Sequence, residues 1–355
     1  VNSFTLISKG EADMKSYRKW FKVTLILIAL PLLAIAGINF YIDPLWNFDH
    51  AHRFNQMQMS FNERQQKTNH LTFTGEKYDA LLLGSSRITY INQADFPDQQ
   101  VYNYAVNNML PSEYPAYIDY AVKCNQREFE TIYIGLDFFA TNRNLTLPNR
   151  FEDPEFYINT ANRFGCRYFT LLSTDTLRYS WQNFNASRKG AEINFAYNRH
   201  NCKSLLPGSQ EEKQQRIAQN LEWYGKEAYG VNYSYESPRE ILSTIKKKHP
   251  GTRIIIFTTP EAQPLFELII NHNLINDYKR WIRDCVLVNG ELYDFMTPNS
   301  ITTSLDNYYD ASHVYPETGT LMAKRLSGAE THTIPENFGV RVTLENLEKH
   351  LQQIR

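Results

Sequence analysis

The longest apolar run lies near the start of the chain. Val23 to Ile42 holds twenty residues without a charge, about enough for a helix to cross a ~30 Å hydrocarbon core. Lys15, Arg18, Lys19 and Lys22 precede it, while Asp43 and Asp49 follow with no Lys or Arg before Arg53. The positive-inside rule then predicts a cytoplasmic N-terminus and an external remainder. Tyr41 and Trp46 stand where interfacial aromatics belong. A cleaved signal peptide is the alternative, since Ala34-Ile35-Ala36 resembles a small-residue cleavage site. The apolar run continues past it through Ile38, Phe40 and Ile42, which favours an uncleaved anchor. A buried core helix fits less well, because the segment is apolar on every face. Translation is expected to start at Met14, which opens the basic stretch, or at Val1 through an alternative start codon.

After the anchor the pattern changes to short apolar runs separated by helical spacings. Asp79–Gly84, Gln100–Val106, Thr131–Leu136 and Arg253–Thr259 read as buried strands, the last with three consecutive isoleucines and Pro260 as its stop. Helices are expected over Ser112–Asn125, Glu261–Asn273, Asn276–Cys285 and Pro316–Ser327. Another should start at the capping box Ser237-Pro238-Arg239-Glu240. Alternating strands and helices predict a three-layer α/β/α sandwich with a mainly parallel sheet, preceded by one transmembrane helix. The expected organisation is a cytoplasmic N-terminus over 1–22, the transmembrane helix over 23–42 and a polar stalk and linker over 43–77 with a first helix leading into the domain. The α/β domain follows over 78–330, with a mostly helical insertion at about 142–235, and a tail with a helix over 331–355.

Composition narrows the classes. At 355 residues with a formal net charge of -1, the chain lacks the clustered cations of a nucleic-acid binder. Its 23 Tyr and 21 Phe suit a protein facing carbohydrate outside the cytoplasm. The four cysteines, at 124, 166, 202 and 285, show no Cys-x-x-Cys spacing, so a zinc knuckle or thioredoxin-type motif is not expected. One or two disulfides and four unpaired thiols are equally compatible with the sequence. No cofactor or metal is expected, and no Gly-rich phosphate loop is present.

Two motifs carry candidate chemistry. Leu81-Leu82-Leu83-Gly84-Ser85-Ser86-Arg87 ends an apolar run in glycine and two serines. A serine at the C-terminal edge of a parallel sheet lies where ligands bind in open α/β folds. A helix starting there offers unpaired N–H groups for an oxyanion. The bland alternative is a tight turn with Ser85 as helix cap. Asp310-Ala311-Ser312-His313 supplies a base with its orienting acid, where Asp310 would fix the imidazole tautomer and His313 would take the serine proton. Asp294 and Asp306 compete for the orienting role, whereas His200, His249 and His272 lack an acid at this spacing.

Together the motifs resemble the first and last blocks of the SGNH (GDSL-like) hydrolase superfamily, whose fold is flavodoxin-like. The resemblance implies Ser86 as nucleophile, His313 as base and Asp310 as its partner, with Ser85 at the family's aspartate position. The middle blocks depart from the pattern. Ala105 stands for the oxyanion glycine, with Asn107 and Asn108 as side chains that could assist. Gly135-Leu136-Asp137-Phe138 has Asp137 where the family carries an asparagine donor. An ionised Asp137 would repel an oxyanion. Arg87 is a candidate for binding a carboxylate or polymer anion, a solvated helix residue being the alternative.

The anchor, Asp43-Pro44, the Gly-Ser-Ser-Arg block and the terminal Asp-x-x-His look like the membrane-anchored SGNH-like proteins of bacterial envelopes. That resemblance implies a single-pass protein of the cytoplasmic membrane whose main domain is periplasmic or extracellular. It implies a serine acyltransferase or esterase acting on an envelope polysaccharide or other acylated glycan, with a membrane-bound O-acyltransferase as partner. A non-catalytic scaffold that binds glycan or such a partner is the alternative.

Overall fold

The computed structural model describes residues 2–147, 151–190, 193–329 and 332–354. In chain order the elements are α1 (Asn2–Ile42), α2 (Glu63–Phe73), β1 (Ala80–Leu83), β2 (Val101–Asn103), α3 (Tyr114–Asn125) and β3 (Thr131–Leu136). Next come α4 (Pro154–Asn162), α5 (Cys166–Phe169), α6 (Thr174–Lys189), α7 (Gln210–Trp223), α8 (Arg239–Lys248) and β4 (Arg253–Thr258). The chain closes with α9 (Gln263–Asn271), α10 (Ile275–Asn289), β5 (Glu291–Asp294), α11 (Pro316–Ser327), β6 (Val340–Thr343) and α12 (Leu347–Gln353).

The strands form one six-stranded sheet in the order β2-β1-β3-β4-β5-β6. β1 to β5 pair in parallel, and β6 joins β5 antiparallel, with Glu291 opposite Thr343 and Asp294 opposite Val340. Successive side chains of a strand point to opposite faces. Leu81, Leu83, Ile132, Ile134 and Ile256 accordingly lie in one buried cluster, and Ala80, Leu82, Tyr133, Ile255 and Phe257 in another. Both sheet faces are therefore covered, which explains why these strands read as unbroken apolar runs. The chain leaves β1 toward β2 at the edge, then crosses back to β3. The C-terminal ends of β1 and β3 thus flank the point where the strand order reverses, the usual crevice of such sheets.

Three features differ from the sequence expectations. The 43–77 segment is no free stalk, because eight of the eleven residues of α2 are buried. Its polar side chains point inward and are satisfied there. Gln66 Nε2 donates to the carbonyls of Pro44 and Met59, and Lys67 Nζ to those of Asn103 and Ala105. The tail contributes a strand, since β6 completes the sheet and His350 of α12 hydrogen-bonds the buried Asp294 at 2.8 Å. The expected boundary at 330–331 falls outside the described residues. Ser237 does not close the expected capping box; its hydroxyl donates to Asp284 and accepts from the Arg239 N–H. The 142–235 region carries α4 to α7 and, among its described residues, no named strand.

α1 contains one segment, Tyr17–Ile42, long and apolar enough to cross a membrane. Among the described residues, its C-terminal part, from about Ala34 on, meets the rest of the chain. There Asp43 accepts from the N–H groups of Asn47 and Phe48 and pairs with Arg199 at 2.9 Å, turning the chain into the domain.

Candidate active site

β1 delivers Gly84-Ser85-Ser86 at the C-terminal edge of the sheet. The turn is tight for a reason visible at two glycines. Gly84 has φ +155, and a Cβ there would lie 2.4 Å from Ile88 Cγ1. A Cβ on Gly135 of β3 would lie 2.6 Å from Ile88 Cδ1. The fully buried Ile88 therefore plugs the gap between the two strand ends, and only glycines leave room for it. The plug pulls the chain down just after Ser86, whose neighbours Ser85 and Arg87 are both buried. The α-helix expected to start here is not formed; the chain continues as a single 3-10 turn over Ile88–Tyr90. Ser85 accepts the Arg87 N–H at 3.3 Å, while the Ser86 N–H has no partner among the described residues.

Asp310 and His313 reach Ser86 from the loop before α11. Ser86 Oγ lies 2.9 Å from His313 Nε2, and His313 Nδ1 lies 2.8 Å from Asp310 Oδ2. The other Asp310 oxygen accepts the backbone N–H groups of Ser312 and His313, at 2.7 and 2.8 Å. One carboxylate thus folds its own loop and orients the ring. Burial alone would raise the Asp310 pKa; the His313 charge and these hydrogen bonds outweigh it and hold the carboxyl at about 2. With Nδ1–H donating to this anion, Nε2 is the free acceptor facing the Ser86 hydroxyl. Tyr90 packs edge-on to the imidazole with centroids 5.9 Å apart. Asp294 bonds Thr258, Thr297 and His350 instead, and among the described residues the carboxylate hydrogen-bonded to His313 is that of Asp310.

Ser86 and His313 open into a cleft of about 410 Å³. Its walls include Phe61, Asn107, Phe151, Phe195 and Lys203. Asn107 is the predicted assisting residue that does face Ser86 across this cleft. Its backbone N–H donates to Glu63 Oε2 at 2.7 Å, and its side-chain amide makes no hydrogen bond within the described residues. Asn108 lies off the cleft, in a left-handed conformation at φ 52, with its carbonyl accepting from Arg64. Ala105 is fully buried and its N–H is taken by Asn103 Oδ1 at 3.0 Å, so the group expected to replace the oxyanion glycine is already engaged.

Arg87 and Asp137 need correction as well. Arg87 is neither solvated nor aimed at the cleft; it is 3% exposed. Its Nη1 donates to Thr259 and Glu261 and lies 3.3 Å from Asp137, and its Nη2 donates to Tyr224. Asp137 accepts from Thr259 at 2.5 Å and belongs to this buried network rather than to the cleft of Ser86. Burial pushes the Glu261 carboxyl up, with Arg87 opposing.

Sequence reasoning missed a second buried network on the other side of Ser86. Glu63 accepts from Lys203, from Tyr197 at 3.1 Å and from Asn107. Burial alone would raise its pKa, but Lys203 and Lys67 outweigh that and hold the carboxyl at about 2. Burial, with Lys203 nearby, lowers the Lys67 ammonium to about 7 against the pull of Glu63. These residues come from the presumed stalk and from the insertion, where no periodicity marked them. All four cysteines are free thiols.

No family model matches this chain, and no curated protein matches it.

Proposed function

We propose that the protein is a membrane-tethered, extracytoplasmic serine acyltransferase or esterase of SGNH-like, three-layer α/β/α type, acting on a cell-envelope glycan. The observation that carries this reading is the aligned Ser86–His313–Asp310 relay, at 2.9 and 2.8 Å, at the reversal point of a parallel sheet. A covered sheet with strand order 2-1-3-4-5 supports the layering. The basic residues before α1 support a cytoplasmic N-terminus. Aromatic walls at Phe61, Phe151 and Phe195 suit the apolar faces of sugar rings.

In this reading Ser86 Oγ attacks an acyl carbonyl while its proton passes to His313 Nε2. Asp310 stabilises the resulting imidazolium. The Ser86 N–H and the Asn107 amide donate to the oxyanion. His313 then returns the proton to the leaving alcohol, leaving an acyl-Ser86 ester. Water or a sugar hydroxyl, deprotonated by His313, attacks that ester and regenerates Ser86. The test is labelling of the full-length protein with a serine-directed fluorophosphonate. Labelling should vanish in Ser86→Ala and in His313→Ala, with circular dichroism unchanged. Undiminished labelling of Ser86→Ala overturns the nucleophile. A folded wild type that neither labels nor cleaves an aryl ester favours a non-catalytic glycan- or partner-binding scaffold, a reading to which the engaged Ala105 N–H lends its support.

A further inference from the structure

α1 is not joined to the domain at its tip alone. Asn39 sits inside the apolar segment and is 0% exposed. Its Nδ2 donates to the carbonyls of Leu171 at 2.8 Å and Ser173 at 3.1 Å, and its Oδ1 accepts from Ser180 at 2.9 Å. All three partners come from the turn before α6 or from α6 itself. The contact extends well back along α1: an apolar groove of about 910 Å³ runs between Ala34–Ile42 and Thr174–Phe184. The nine residues of helix from Ala34 to Ile42 span eight rises, about 12 Å.

This geometry has a consequence for whatever surrounds α1. The hydrocarbon that covers Ala34 and Ile38 must also meet the outer side of α6. Beside Trp181 of α6, an apolar patch is supplied by α5 and the turn that joins it to α6. Tyr168, Phe169, Leu172 and Trp181 are all more than 45% exposed there, and Phe164 is 95% exposed. Trp181 stacks on Phe184, which leans on Phe54, which in turn neighbours Tyr41 of α1. The aromatic band is thus continuous from the span into the domain. The same stretch is basic: residues 163–189 contain Arg163, Arg167, Arg178, Arg188 and Lys189 against the single acid Asp175, with Arg167 stacked on Tyr168 and Arg178 on Tyr179.

We infer that the α5–α6 face is a lipid seat: Tyr168, Phe169, Leu172 and Trp181 insert into the leaflet in which α1 ends, and the arginines of this stretch meet its phosphates. Apolar groups and cations together match the pattern of interfacial helices, and tryptophan and tyrosine favour that depth. A lone helix would let the domain swivel; the Asn39 joint and the seat together fix its height and tilt. The inference rests on α1 being a membrane span. It adds that the domain itself enters the bilayer, which the sequence expectation of a stalk excludes.

Quenching of tryptophan fluorescence by brominated phosphatidylcholine tests it, with the full-length protein in vesicles containing phosphatidylglycerol. Bromines near the headgroup should quench an emission component that is lost in Trp181→Phe, and that component should resist iodide in the water phase. Extraction with alkaline carbonate reports α1 separately. Carbonate-resistant protein whose Trp181 component responds to iodide and not to bromolipid overturns the seat and leaves the span standing. Carbonate-extractable protein overturns the span itself. Bromolipid quenching that appears only when the protein is diluted in lipid assigns the face to a second copy and overturns the lipid seat.

Discussion

Two small groups at the cleft, the Ser86 N–H and the Asn107 amide, have no partner among the described residues, and in the proposed reaction they would receive the acyl oxygen's charge. Glu63 grips the backbone of Asn107 without using its side chain. Asn107→Ala should therefore lower kcat by about 10²–10³-fold, the usual cost of one oxyanion donor. Its urea midpoint should match wild type, since the lost amide held nothing in place. Asp310→Asn tests the opposite end of the relay. It removes the anion that fixes the ring and should cut kcat by about 10⁴-fold. Steady-state turnover of an aryl ester reads both, and equal activity in either variant removes that residue from the proposed chemistry.

At the scale of elements, the Gly84–Ser86 turn depends on Ile88 fitting between β1 and β3. Gly84→Ala would drive a methyl into Ile88, costing about 1–3 kcal/mol as overpacking does elsewhere, and would displace Ser86. Adding Ile88→Ala should recover part of that stability relative to the sum of the two single changes, because the residues share one space. A double-mutant cycle by urea unfolding measures this; strict additivity would mean that the contact does not set the turn. The central strands were legible because burial on both faces leaves an unbroken apolar run. β5 and β6 were harder: their half-exposed residues and charges, as in Val340-Arg341-Val342-Thr343, look like tail. A helix was expected where α2 lies, but its burial was missed for a similar reason. Its Glu, Arg, Gln, Lys and Asn suggest solvent, yet nearly every one is buried and paired with a residue distant in sequence. Local composition cannot report a partner a hundred residues away.

For the molecule as a whole, Ser86, Asp310 and His313 were legible from spacing and order, while the networks beside them were not. Those networks should dominate the acid limit of stability. The Asp310 carboxyl lies at about 2 against an ordinary 3.8, and that of Glu63 at about 2 against 4.5. Both are depressed in the folded state, so their contributions are complete above those ordinary values and are lost as pH falls through about 2. Each shift corresponds to about 2–3 kcal/mol. Urea midpoints of the detergent-solubilised protein should fall steeply from pH 4.5 toward pH 2, and the fall should be shallower in Glu63→Gln. An unchanged slope in that variant would show that Glu63 is not among the groups driving it.

Asn39 adds an order of events. A side-chain amide in hydrocarbon is costly until something satisfies it. Its partners arrive only when residues 171–180 have folded against the anchor. Before that the helix gains by sliding outward until the amide finds water or headgroups; afterwards it can sink to its final depth. Maturation of the domain and seating of the anchor then become one cooperative step, and a chain whose domain fails to fold is left with an anchor that betrays it.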